Sequence, residues 1–151
     1  MRSRGKSAVR TTPAVFRAWS GTVASPTDGS VTDPYADLAA LYPWLPRLQC
    51  GPGWHALIER LCERLAEGMR PEELRAPVLL SVMERRGRLH IRARAPLYAA
   101  RRVSALLREA EEASEVTCSQ CGAPGSRAPR GGWVATLCEE HEAQGMWLQG
   151  P

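Results

Sequence analysis

Lysine is all but missing from this chain of 151 residues: of 20 basic residues only Lys6 is one, and the rest are arginine. With abundant alanine and glycine, that is the bias of a GC-rich coding sequence, so arginine content alone carries no function. Acid is absent from residues 1–27, which hold Arg2, Arg4, Lys6, Arg10 and Arg17. That stretch contributes +5 to a net charge of +4, so the residues after it sum to −1. The basicity belongs to the N-terminal segment and gives little support to a nucleic-acid partner for the folded part.

Long apolar runs are also lacking. No stretch approaches the roughly 18–20 consecutive apolar residues of a membrane span. The N-terminal SAVRTTPAVFRAW is broken by Arg10, Pro13 and Arg17, so no secretory leader is expected. The expected compartment is the cytoplasm, where closely spaced cysteines suggest a metal before a disulfide. Aromatic residues make up only 6%, but five of them are Trp, so a few large side chains must anchor the core. Histidine is limited to His55, His90 and His141, which narrows the catalytic schemes available.

What is present divides into four parts. Residues 1–32 mix Arg, Ser, Thr, Gly and Pro without apolar periodicity, and are expected to be a disordered basic tail. Residues 33–115 read as an α+β domain, residues 116–145 as a zinc-binding module packed on it, and residues 146–151 as a tail. Asp33-Pro34 offers a helix start that YADLAALY can follow until Pro43. PWLPRLQCGPG, residues 43–53, reads as a rigid connector. In WHALIERLCERLAEGM, Trp54, Ile58, Leu61, Cys62 and Leu65 fall on one helical stripe, which makes Cys62 a core thiol.

The stretch Val78–Met83, a turn at ERRG, and the alternation that follows predict an antiparallel hairpin. Leu89, Ile91 and Ala93 share its buried face; Arg88, His90, Arg92 and Arg94 share the other. From Tyr98 to Ser114, residues Ala99, Val103, Leu106, Leu107, Ala110 and Ala113 recur at helical period. This helix carries Arg101 and Arg102 near its start and Glu109, Glu111, Glu112 and Glu115 near its end, against the macrodipole at both ends. Offsetting of that cost by Arg108 and its neighbours is the expected explanation. The fold class is therefore α+β, two helices flanking a β-hairpin, followed by the C-terminal module.

That module is CSQCGAPGSRAPRGGWVATLCEEH, residues 118–141. Cys118 and Cys121 form one pair two residues apart, and Cys138 and His141 form another. Each spacing lets a tight turn or first helical turn aim both donors at one ion, and two pairs complete a tetrahedron around Zn²⁺. The candidate metal ligands are thus Cys118, Cys121, Cys138 and His141, holding one zinc per chain. A knuckle, a hairpin and a helix bearing the second pair is a treble-clef arrangement; a zinc ribbon is the alternative. Iron–sulfur ligation is less suited, because histidine is an uncommon ligand there.

With four protein donors the ion has no open position, so its expected role is structural and no catalytic residue is assigned. Neither HAL at 55–57 nor HIR at 90–92 supplies the His-x-Glu of a zinc deaminase. A Cys50–His55 dyad would lack an evident orienting acid, and His90 reads as a solvated histidine. Arg85, Arg86, Arg88, Arg92 and Arg94 form the best basic patch of the folded part, a candidate phosphate-contacting surface. The strand face has no aromatics on which bases could stack, so pairing with the chain's own glutamates is the competing expectation.

The order CGPGWHALIERLCERL, VLLSVMERRGRLHI, AEEASEVTCSQCGAPG and GGWVATLCEEH, over residues 50–141, resembles a set of small uncharacterised phage, prophage and bacterial proteins. Their motifs are a Gly-x-Gly-Trp helix start, a strand ending in a basic Gly-Leu motif, and a C-terminal CxxCG…GWxxTLCxxH. GRLHI departs from their more usual glycine-rich, aromatic version of the strand. The resemblance implies a metal-binding fold and a mobile-element origin, with host cytoplasm as the compartment, and implies no activity. The functional expectation is a non-enzymatic, zinc-stabilised binding protein with an unidentified protein partner. The alternative is a nucleic-acid-binding module using the basic strand face and the N-terminal tail. Neither a membrane nor a small-molecule substrate is indicated.

Overall fold

The computed structural model describes residues 32–76 and 78–145; the segments 1–31 and 146–151, for which tails are expected, lie outside the described residues. Asp33 opens the described chain differently from a simple helix cap. Its carboxylate accepts the Tyr35 N–H at 2.9 Å and its carbonyl accepts Ala36 N–H at 3.2 Å, so a turn precedes the helix. Helix α1 is then only Ala36–Leu41, with Leu38 fully buried. The supposed connector contains a two-residue strand, β1 (Leu48–Gln49), and a 3-10 turn at Pro52–Trp54.

Helix α2 (His55–Gly68) buries Ile58, Leu61, Cys62 and Leu65, the stripe expected from its periodicity. Strands β2 (Leu79–Arg85) and β3 (Arg88–Ala93) pair antiparallel, with Val82 opposite Ile91 and Glu84 opposite Leu89. Arg86 and Gly87 both take positive φ, 52° and 74°. That is the primed turn whose twist suits a two-residue hairpin. β1 adds to β2 in parallel through Leu48 and Gln49, so the hairpin is part of a three-stranded sheet ordered β1-β2-β3.

Helix α3 (Ala100–Ser114) buries Val103, Leu106, Ala110 and Ser114 and packs on both α2 and β3. Trp54, Ile58, Leu65, Leu79, Val82 and Leu89 are the fully enclosed centre of the shared core. Each such side chain contributes about 1.5–3 kcal/mol by leaving water. Strands β4 (Ser126–Arg130) and β5 (Trp133–Leu137) form a separate antiparallel pair, and the short helix α4 (Glu139–Ala143) follows directly. The described residues form a mixed α+β structure with short sheets and four α-helices.

The acids at the end of α3 have a use beyond the helix. β3 is the outer strand of its sheet, and in this register Leu89 and Ile91 turn their N–H groups away from β2. Ser114 Oγ accepts from Leu89 N–H at 2.9 Å, and Glu111 accepts from Ile91 N–H at 2.8 Å. Helix side chains thereby seal a strand edge that would otherwise template further pairing. Arginines from three other elements then balance the acids: Arg64 with Glu109 at 2.6 Å, Arg88 with Glu115 at 2.8 Å, and Arg127 with Glu115 at 3.9 Å. Arg108 contributes through Glu112 at 3.8 Å, as expected, but cross-element pairs supply most of the compensation.

Candidate metal centre

Cys118 and Cys121 lie in the turn that follows α3, and Cys138 is the N-cap residue immediately before α4. His141, three residues further on, shares the first turn of that short helix. The β4–β5 hairpin returns the chain so that the two pairs face each other. Arg130 fixes this return. Its buried guanidinium donates to the Ala128, Ala135 and Ser126 carbonyls and to Glu142 of α4. The hairpin and the helix bearing His141 are held as one piece.

All four donor atoms lie within 4.8 Å of one another. Cys121 Sγ is 3.7 Å from Cys138 Sγ, Cys118 Sγ is 3.7 Å from His141 Nδ1, and Cys138 Sγ is 3.2 Å from the same nitrogen. A tetrahedral zinc, with Zn–S near 2.3 Å and Zn–N near 2.0 Å, sets its ligand atoms roughly 3.5–3.8 Å apart. A disulfide requires sulfurs about 2.05 Å apart, and these cysteines are free thiols. The cluster is compatible with one metal ion, and three sulfurs with one imidazole suit zinc.

The backbone supports negative charge on two of the sulfurs. Burial opposes ionisation of Cys118, but the N–H groups of Cys138, Gln120 and Cys121 outweigh it and hold the thiol below its usual range. The N–H and imidazole of His141 do the same for Cys138. Desolvation and the adjoining Cys118 and Cys138 sulfurs push Cys121 up to about 11. Three sulfurs this close cannot all carry charge without a counter-ion, which a dication would supply.

The centre does not stand apart from the rest of the fold. Gly53 N–H donates to the Ser119 carbonyl at 2.8 Å, and the fully buried Trp54 donates its indole N–H to the Thr117 carbonyl at 2.8 Å. Backbone meets backbone at Gly53, where no side chain has room. From the other side, buried Thr136 donates its hydroxyl to the Gly87 carbonyl in the β2–β3 turn, and Arg127 donates to Arg86 O at 2.6 Å. Gly53, Trp54, Gly87 and Thr136 therefore bind the cysteine turn and its hairpin to the helices and sheet. These residues recur in the motifs quoted above, but no periodicity in the sequence says that they meet.

The candidate nucleic-acid residues lie on and beside the β2–β3 hairpin, where Arg85 is the cross-strand partner of Arg88, but they differ in freedom. Arg85, Arg86, Arg92 and Arg94 are exposed, whereas Arg88 is half-buried and bridges Glu111 at 3.2 Å and Glu115 at 2.8 Å. His90 is half-buried rather than fully solvated. The Cys50–His55 pair does not form a dyad. His55 binds Asp37 at 2.9 Å and stacks on Tyr35, while Cys50 donates to the Tyr35 hydroxyl at 3.4 Å. Burial pushes the Cys50 thiol up to about 11, away from a reactive thiolate. Comparison with protein-family models, curated proteins and solved structures finds no match to this chain.

Proposed function

We propose that this chain is a non-enzymatic binding protein for another protein, stabilised by one structural zinc in a treble-clef-like module. The zinc would be held by Cys118, Cys121, Cys138 and His141. The observation that carries this reading is the gathering of all four donors within 4.8 Å, with two of their separations, 3.7 Å each, at the edge length of a zinc tetrahedron. Four protein donors leave no coordination site for water, so a structural role suits the ion better than a catalytic one. No described helix is long and apolar enough to cross a membrane. A cytoplasmic setting belongs to the same reading, as does a mobile-element origin, which rests on the sequence resemblance.

Metal analysis of the purified full chain tests it and should return about one zinc per chain. Cys118→Ser should lose most of that zinc and lower the unfolding temperature, and a metal-free wild type would overturn the proposal. Partner capture should give a protein that survives nuclease and salt washing. A second reading, nucleic-acid binding, draws on the exposure of Arg85, Arg86, Arg92 and Arg94. It predicts a DNA mobility shift that weakens steeply with salt and is lost in R85A/R86A/R92A/R94A. Absence of a shift at low salt would exclude it.

A further inference from the structure

A cleft of about 810 Å³ lies where the sheet, the cysteine turn and β5 converge. Its lining includes Cys50 and Gly51 after β1, Glu84 of β2, Ser119 of the cysteine turn, and Trp133 and Val134 of β5. Three of its features point to one kind of occupant.

The first is Glu84. Its carboxylate pairs with no described Lys, Arg or His, unlike the glutamates of α3. Burial raises its carboxyl above the usual range. A carboxylate so placed gains from an incoming positive group far more than one already hydrated or paired. The second is Trp133, a large apolar residue that stays 57% exposed in the same cleft. An indole face attracts ammonium and guanidinium groups and covers their alkyl stems.

The third is the outer edge of β5. The Thr136 carbonyl accepts a hydrogen bond from Ser119 N–H at 2.9 Å, so Thr136 faces away from β4. Antiparallel residues alternate in this respect, so Val134, two positions earlier, also turns its N–H and carbonyl away from β4. Pro129, which has no N–H to give, sits opposite Val134, as a non-hydrogen-bonded pair allows. Ser119 and Val134 both line the cleft, so the outward edge of β5 is on its side.

We propose that this cleft binds an extended peptide segment of a protein partner through one arginine or lysine side chain. Its backbone pairs with Val134 on the β5 edge while its cationic group reaches Glu84 beside Trp133. This deepens the protein-binding reading above by naming the surface and the chemistry of the partner. Arg86 also borders the cleft, so an acidic neighbour beside the basic residue improves the fit.

The test uses the zinc-loaded full chain and fluorescein-labelled, end-capped heptapeptides that alternate valine and threonine around a central Arg, Lys, citrulline or Glu. Anisotropy should show the Arg and Lys peptides binding at least about tenfold more tightly than the citrulline and Glu peptides, the scale of losing a desolvated charge pair. Glu84→Gln should remove that preference while leaving zinc content and thermal unfolding unchanged. N-methylation of the amide that pairs with Val134 should weaken binding with the charge intact. Failure of the Arg peptide to bind at millimolar concentration, or equal affinity in wild type and Glu84→Gln, overturns the proposal. A captured protein partner whose binding survives both Glu84→Gln and Trp133→Ala also overturns it, and leaves the broader protein-binding reading standing.

Discussion

A Cβ built on Gly53 would lie 2.2 Å from the Cys118 carbonyl oxygen and 2.6 Å from the amide nitrogens of Cys121 and Gly122. The obstructing atoms are backbone of the cysteine turn, so they cannot swing aside as a side chain would. Gly53→Ala should therefore destabilise the protein by roughly 1–3 kcal/mol, the range for overpacking, and loosen the metal site with it. Gly132→Ala supplies the contrast. Nothing lies within 4 Å of its would-be Cβ, and its cost comes only from φ of +92°. That is roughly 1–2 kcal/mol, without loss of zinc. Urea titration and a zinc-release assay on both variants distinguish a steric role at the centre from a conformational one at a turn. Equal zinc affinity in the two would show that the close approach at Gly53 does not shape the site.

Among the elements, α2 and α3 were legible in the sequence because helical period is a local signal spread over many residues. The clustering of Cys118, Cys121, Cys138 and His141 was legible because two-residue spacing of thiol and imidazole donors has few other uses. β1 was not legible: two residues cannot display a period, and its pairing with Val82 and Met83 joins segments 34 residues apart (82 − 48). The reversed charge order of α3 was visible, but its purpose lies in another element, the β3 edge. Ser114→Ala would leave the Leu89 N–H without its partner in a buried setting, at about 1–3 kcal/mol. Glu111→Gln keeps an acceptor for Ile91 but gives up the charge opposite Arg88, so its cost should be smaller. Amide exchange followed by NMR should show Leu89 accelerating in the first variant, with the rest of the sheet slower to respond. Unchanged protection at Leu89 would mean that the helix does not seal this edge.

For the molecule as a whole, the two apolar clusters are very unequal. One gathers side chains from α1, α2, α3 and the three-stranded sheet, while the cysteine-turn and β4–β5 region buries only Cys118, Leu137 and Cys138 in its own. Two of those three are candidate ligands, so this region has almost no core without a metal, and binding energy there is folding energy. Chelation should therefore release residues 117–145 first and leave α2, α3 and the sheet largely formed. Exchange measured before and after a chelator checks this. Uniform loss of protection would mean the two regions fold as one unit, and no change would mean the metal does not hold this region together.

The contact between Trp54 and Thr117 spans 63 residues of chain. During synthesis at about 5–20 residues per second, the indole is made roughly 3–13 s before its acceptor exists. For that interval the segment leading into α2 carries a large apolar ring whose N–H has no native partner. A slower translation rate would lengthen the interval in which that ring is open to aggregation.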